Sequence, residues 1–330
     1  MTKPYQVVGI GNALVDVLSH VEDRFLDDNG VQKAIMQLID TRRAAELYGV
    51  MGPSKEISGG SAANTIAGLG QIGIRTAYVG KVKDDQLGDI FAHDMRAQGA
   101  DYDTPRATDG EHETGRCFVL VTPDGERSLN TYLGVSEHLM PSDIDEAQMA
   151  GADWIYLEGY RFDGPDSHEA FAKAIAATKG AGGKVSITLS DPFCVERHRD
   201  AFRTMIQNDI DLLFGNEHEI MAMYQTDDLD AAMEAAAAEV DVLACTIGAK
   251  GAMIFNKGER IHAPATDANV VDVTGAGDLF ASGFLAGLVQ GRDMLTAGRM
   301  GCIAAGEVIS HIGARPEENL NALFAKHGVN

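Results

Sequence analysis

The chain has 330 residues, enough to bury a large core as one α/β unit or two domains, and its 45% hydrophobic content is that of an ordinary globular protein. Its formal charge of −22 argues against a nucleic-acid or anionic-membrane surface, since both need clustered Lys and Arg. The four cysteines (Cys117, Cys194, Cys245 and Cys302) form no C-x-x-C pair, and no H-E-x-x-H occurs, so neither a zinc site nor a redox motif is indicated. Reduced, buried thiols and a cytoplasmic location are expected, because no signal-type segment precedes the first apolar run and no 18-residue apolar span follows.

Tyr5–Ile10 reads as a first strand running into Gly11-Asn12-Ala13-Leu14-Val15-Asp16. The C-terminal ends of strands are where α/β sheets bind ligands. Asn12 and Asp16 therefore either contact a ligand, with Asp16 accepting two hydroxyl hydrogen bonds from a ribose, or cap the backbone of a turn. From Val17 to Glu56 the pattern becomes strand-like, as in Val17–Val21 and Ala34–Ile39, with no helix expected between. A helix is then predicted over Ala62–Ile72, a strand over Thr76–Val79 and a helix over Leu87–Gln98. Gly68-x-Gly70-x-x-Gly73 spells a dinucleotide fingerprint but ends a helix instead of opening one, and no G-x-x-x-x-G-K-[ST] loop exists. Thr114–Leu133 is again β-rich: Arg116–Thr122 and Ser128–Leu133 flank the turn Pro123-Asp124-Gly125-Glu126, a strong hairpin signal. Arg127 opens the second strand, where a solvated cation is the plain expectation.

Strand and helix then alternate. Strands are predicted at Trp154–Leu157, Lys184–Leu189, Leu212–Phe214, Val242–Thr246 and Ala252–Phe255, and helices at Ser167–Gly180, His198–Gln207 and Ala231–Ala238. This predicts a mostly parallel sheet covered on both faces. Asn216 and Glu219, just after a strand, are either an acidic helix start or oxygen ligands that approach Mg²⁺ through water. Thr246-Ile247-Gly248-Ala249-Lys250-Gly251 is either a tight turn or a phosphate-lining loop. Val271–Phe284, VDVTGAGDLFASGF, is the most informative run. It reads as a strand end, a Gly-rich turn and a helix start, leaving the amides of Gly275, Ala276 and Gly277 free at a positive helix end, a site for an anion. Asp278 beside that hole would repel an anion, yet it suits a base that takes a proton from a hydroxyl attacking a phosphoryl group.

This run resembles the second signature of the ribokinase/pfkB-type carbohydrate and nucleoside kinases. Ser58-Gly59-Gly60-Ser61-Ala62-Ala63-Asn64, with Gly70 and Gly80 beyond, is similar to the first signature, and Asn216-Glu217-His218-Glu219 to the N-x-x-E element. The resemblance covers nearly the whole chain. It implies a three-layer ribokinase-like α/β fold with a mostly parallel central sheet, forming a single domain over 1–330 with a discontinuous β-rich lid from about 17–56 and 114–133. It also implies an ATP- and Mg²⁺-dependent kinase, with K⁺ as a further cofactor in some relatives. Catalytic roles then fall to Asp278, to Gly275, Ala276 and Gly277, and to Arg127, which a closing lid would bring to the transferred group. Substrate contacts fall to Asn12, Leu14, Asp16, Gly59, Gly60, Asn64, Phe118 and Tyr160, of which Leu14, Phe118 and Tyr160 are read as an apolar slot for a base. ATP contacts fall to Asn216, Thr246, Gly248, Gly251 and Ala305, Mg²⁺ to Glu219 through water, and a monovalent cation to Asp272 and Thr274.

Within the family, GNALVD at 11–16, LSDPF at 189–193, FGNE at 214–217 and RSL at 127–129 are similar to the adenosine kinase branch. Asp191 departs from that branch, where an Ala is usual. The expected reaction is phosphorylation of a nucleoside 5′-hydroxyl, adenosine first, with a sugar such as ribose or fructose as the alternative acceptor. The expected partners are small molecules, with no nucleic acid and no membrane, in a monomer or a lid-mediated homodimer.

Overall fold

The computed structural model describes residues 2–329. In chain order the strands are β1 Tyr5–Ile10, β2 Leu14–His20, β3 Met36–Leu38, β4 Lys55–Gly59, β5 Thr76–Val79, β6 Ala100–Asp101 and β7 Gly115–Val121. They continue as β8 Arg127–Tyr132, β9 Ala152–Glu158, β10 Lys184–Thr188, β11 Leu212–Asn216, β12 Val242–Thr246, β13 Ala252–Asn256 and β14 Glu259–Ala263. The first α-helices are α1 Asp23–Asp28, α2 Thr41–Val50, α3 Ser61–Ile72, α4 Gln86–Ala97, α5 Glu146–Ala150 and α6 Ser167–Gly180. The remainder are α7 Pro192–Asp209, α8 Glu217–Tyr224, α9 Leu229–Ala237, α10 Ala276–Val289, α11 Met294–Val308 and α12 Leu320–Lys326.

Nine strands form one sheet in the order β14-β13-β12-β11-β10-β9-β1-β5-β6. All neighbours from β12 to β6 are parallel, and β13 and β14 add an antiparallel edge. Alternating side chains of these strands enter two cores. Val7, Tyr156, Phe214 and Ala244 pack with Ile66, Leu279, Phe284 and Met300 of α3, α10 and α11. Val8, Ile155, Leu213 and Leu243 pack with Phe171, Phe202, Ile220 and Met233 of α6 to α9. Fully burying one such side chain stabilises the fold by about 1.5–3 kcal/mol, and the period-2 alternation is what places a core on each face. This is the expected three-layer α/β arrangement.

The other five strands form a second sheet, β3-β8-β7-β2-β4. The β7–β8 hairpin turns at Pro123–Glu126 as predicted, with antiparallel register from Arg116↔Tyr132 to Val121↔Arg127. The expectation of strands alone in 17–56 is corrected: α1 and α2 lie there. Asp40 caps α2 by accepting from the Arg43 amide at 2.7 Å. Leu26, Ala44 and Leu47 of these helices cover one face of the sheet, packing on Val17, Phe118, Leu120 and Tyr132. A sheet face with that many apolar side chains requires such a cover, and short helices between strand-like runs leave little periodicity to read.

Several element bounds shift by one to three residues, and two differences are larger. Helix α7 starts at Pro192, six residues before the predicted start, because Asp191 accepts from the Cys194 amide at 2.7 Å and Pro192 suits the first helical position. The helix is kinked at His198 (φ −122°, ψ 19°), where the helical pattern begins to be visible in the sequence. The strand end expected at Val271 is irregular chain instead; Val271 and Val273 are exposed, and the Val271 and Asp272 amides both donate to the carbonyl of Ile309.

Candidate active site

One cavity of about 900 Å³ lies between the sheets. Asn12, Glu158, Thr188, Asn216 and Thr246 line it from the C-terminal ends of β1, β9, β10, β11 and β12. That is the edge at which an open α/β sheet binds ligands. Leu14, Asp16, Met36, Leu38, Cys117, Leu129 and Thr131 line it from the uncovered face of the smaller sheet.

The floor is the start of α10. Gly275 precedes it with φ +79°, a left-handed conformation, and a Cβ there would stand 2.7 Å from the Cβ of Ala314, so only glycine fits. Ala276 is not a free donor as expected: its amide closes a turn onto the carbonyl of Val273 at 3.2 Å. The amides of Gly275, Gly277 and Asp278 donate to no other described residue and remain for an anion at the positive helix end. Asp278 is held from α3: the Ser61 hydroxyl donates to Oδ1 at 2.6 Å and Asn64 Nδ2 to Oδ2 at 2.9 Å. Burial pushes its carboxyl up to about 6 against these hydrogen bonds and the nearby Arg315 charge. Asn64, read in the sequence as a substrate contact, is thus bound to Asp278, and Ser61 was not singled out at all.

Asp16 reaches the cavity from β2, and burial raises its carboxyl to about 6, opposed by the charges of Arg315 and Arg127. Gly59 does not line the cavity. It ends β4 beside Asp16 of the neighbouring β2, where a Cβ would come within 2.5 Å of the carboxylate, so its role is to leave room for that carboxylate. Gly60 lines the cavity at φ +98°. Asn12 is nearly spent internally: its amide nitrogen donates to Glu158 Oε1 at 2.9 Å and its oxygen accepts from Arg161 Nη1 at 3.0 Å. Glu158 also accepts from the Ala62 amide at 2.8 Å, and burial raises it to about 7. Half-buried Arg315 donates to the carbonyls of Ser58 and Ala63, with desolvation lowering it to about 10, and its charge faces Asp16 and Asp278. Sequence reasoning missed Glu158 and Arg315. Glu158 directly follows the predicted strand Trp154–Leu157, the same kind of position that found Asn12; Arg315 has no local signal.

Phe118 is corrected. Its side chain belongs to the core under α1 and α2, and its neighbour Cys117 faces the cavity. Adjacent strand residues point to opposite faces, so a one-residue choice reverses the assignment. Leu14 and Tyr160 do line the cavity. Asp191 does not; it caps α7 and raises the Tyr160 hydroxyl, whose shift comes first from burial.

Asn216, Thr246, Gly248, Gly251 and Ala305 all line the cavity's other lobe. Of the two sequence readings of Asn216 and Glu219, the acidic helix start is the one observed directly. They form a capping box at the start of α8: Asn216 Oδ1 accepts from the Glu219 amide at 2.9 Å, and Glu219 Oε2 accepts from the Asn216 amide at 2.9 Å. Glu219 still borders the cavity, raised by burial to about 7. An oxygen donor of this kind beside an anion-binding helix end fits Mg²⁺ reached through water. The irregular run 265–270 also lines this lobe and carried no motif.

Arg127 is not a solvated cation. Its side chain is 7% exposed and Nη2 lies 2.7 Å from Oδ2 of Asp272, itself 3% exposed. Neither residue lines the cavity, although Thr274 does. Asp272 also accepts from the amides of Thr274 (3.0 Å) and Gly313 (3.2 Å), so its carboxylate is already committed and is a poor ligand for a monovalent cation. The four cysteines are free and buried, and no helix among the described residues is long and apolar enough to cross a membrane.

Known proteins share this fold. A probable sugar kinase from Rhizobium etli CFN 42 superposes with a TM-score of 0.93 at 45% identity, covering 99% of this chain and 100% of that one. The adenosine kinase of Sinorhizobium meliloti superposes with a TM-score of 0.92 at 43% identity, over 98% and 99%. An ATP-dependent ribose-1-phosphate kinase from Halopiger xanaduensis is 32% identical over 76% of this chain and 84% of its own length. Residues 34–320 match the family described as pfkB family carbohydrate kinase, and the chain belongs to that family as a sugar or nucleoside kinase.

Proposed function

We propose that the chain transfers the γ-phosphoryl group of ATP to the 5′-hydroxyl of a nucleoside, with adenosine as the acceptor, and that residues from about 17–56 and 114–133 act as a lid on a single α/β domain. The observation that carries the reading is Asp278 standing between a helix end with free amides and the Asp16 lobe of one cavity. In the proposed step Asp278 takes the proton of the acceptor hydroxyl, whose oxygen bonds to the γ-phosphorus as the bond to the β-phosphate oxygen breaks and ADP leaves. The amides of Gly275, Gly277 and Asp278 hold the charge on the transferred group. Bound Mg²⁺ would neutralise phosphate charge beside Glu219. The lobe lined by Asn216, Thr246, Gly248, Gly251 and Ala305 would hold ATP.

A nucleoside is favoured over a bare sugar by the apolar ceiling above Asp16. Leu14, Met36, Leu38 and Leu129 present a surface that suits a flat base and leaves a small polyol nothing to bond. The name of the Sinorhizobium relative points the same way. The sugar alternative rests on the Rhizobium relative and on curated relatives named as sugar or sugar-phosphate kinases. Coupled ADP-release assays across adenosine, cytidine, ribose, fructose and ribose 1-phosphate decide between them. Adenosine should have the highest kcat/KM; turnover confined to a sugar would reject the nucleoside reading.

If Asp16 grips the ribose hydroxyls, Asp16→Ala will weaken nucleoside binding by roughly ten- to hundred-fold, the equivalent of a charged hydrogen bond. Titration calorimetry with adenosine and 2′-deoxyadenosine measures this. Equal affinity of the starting protein for the two ligands would remove Asp16 from the ribose contact.

A further inference from the structure

We propose that His112, Glu137 and His138 form a binding site for a late first-row divalent metal ion, Zn²⁺ being the probe of choice. Among the described residues this is the one group of three His, Cys, Asp or Glu side chains whose ligand atoms all lie within 4.8 Å of one another. Glu137 Oε1 stands 3.5 Å from His138 Nε2. That nitrogen is shielded from solvent and has no hydrogen-bond partner. The rings of His112 and His138 lie 4.7 Å apart between centroids, at 38°. Two imidazoles and one carboxylate are a donor set that zinc uses with a fourth, open position, and imidazole selects zinc, nickel or copper over magnesium. None of the three residues lines the cavity, so this site is separate from the one proposed for Mg²⁺.

Its place in the fold gives the ion a structural consequence. His112 precedes β7, and Glu137 and His138 end the 3₁₀ turn Gly134–His138 that follows β8. The two crossings already touch, with the Val135 amide donating to the Glu113 carbonyl at 2.9 Å. A metal bound to His112 and His138 would close the loop that contains the whole β7–β8 hairpin. An ion that binds this closed arrangement and not the unfolded chain favours folding by mass action.

The test is calorimetric titration of the full chain with ZnCl₂ in chelator-free buffer containing excess Mg²⁺, with melting curves on the same samples. One Zn²⁺ per chain and a zinc-dependent rise in melting temperature are expected. His112→Ala, on an exposed loop, and Glu137→Gln should each weaken binding by at least about tenfold, the loss seen even when a group one layer beyond the metal is removed. His311→Ala removes a histidine paired with Glu307 elsewhere and should leave zinc binding unchanged. Absence of stoichiometric binding, or equal affinity in the parent, His112→Ala and Glu137→Gln, overturns the site.

Discussion

Asp278→Asn will lower kcat by about 10²–10⁴-fold, the worth of a positioned base, and will at the same time raise the melting temperature of the ligand-free protein. The second effect follows from the carboxyl's environment. Burial raises Asp278 from 3.8 to about 6, so the folded chain holds a proton there more tightly than the unfolded chain does. The sign follows from linkage: between about pH 4 and pH 6 the folded state binds more protons, so stability grows as pH falls through this window and is reduced at neutral pH. Asp16, also raised to about 6, adds to the same trend. Two pKa units correspond to about 2–3 kcal/mol, and an amide at 278 removes that penalty while Ser61 and Asn64 remain as partners. Steady-state kinetics and thermal melts of the parent and Asp278→Asn at pH 7.5 check both effects. In the parent, kcat/KM should fall about tenfold per pH unit below pH 6, because that profile reports the free enzyme's base. Turnover within a few-fold of the parent would end the role assigned to Asp278. A variant that loses activity and also melts lower would mean that the carboxylate holds the site together.

Arg127→Ala will lower both kcat and stability, and the partner variant separates the two. Arg127 and Asp272 are a buried pair, and removing one partner of such a pair typically destabilises by about 3–5 kcal/mol. Asp272 keeps two amide hydrogen bonds, so a loss at or below the low end is expected. Arg127 Nε and Nη2 are buried without a well-aligned hydrogen-bond acceptor, which leaves donor capacity for an anion. If the smaller sheet moves toward the α10 start on nucleoside binding, Arg127 would exchange Asp272 for the charge developing on the phosphoryl group. Arginines supplied in this way contribute about 10³–10⁵-fold in rate; with three amides sharing the task here, the low end or less is expected. Arg127→Lys should restore part of the rate, because a point charge replaces a planar fork. Asp272→Asn should reduce stability yet keep kcat within a few-fold, since it frees Arg127. Were Arg127→Ala to keep its kcat, or Asp272→Asn to lose as much rate as Arg127→Ala, the pair would be a strut between the smaller sheet and the chain before α10. Crystals with and without nucleoside would then superpose with the smaller sheet unmoved.

Much of this protein is legible in the sequence because its signals are local. Strand β1, β5, β12 and helix α6 have their predicted bounds, since continuous apolar runs and 3.6-residue periodicity are set by which faces each element buries. The Gly275–Asp278 turn is legible because a left-handed residue followed by a helix start needs glycine and leaves amides free whatever surrounds it. Asn12, Asp16, Asn216 and Thr246 are legible because parallel sheets bind ligands at strand C-termini. Tertiary structure decided what those residues touch. Asn64 and Ser61 bond Asp278 across more than 200 positions of sequence, and Arg315 reaches the Ser58 carbonyl from the far end of the chain. No local pattern encodes such pairs. The choice of Cys117 over Phe118 was made by the pairing of β7 with β2 and β8, because the face a strand turns to a cavity is fixed only when its neighbours and their covering helices are in place. The burial of Arg127 was decided in the same way: alone at the start of a hairpin strand a cation belongs in water, and it is the carboxylate of Asp272, brought to it by the irregular chain before α10, that lets the charge be buried.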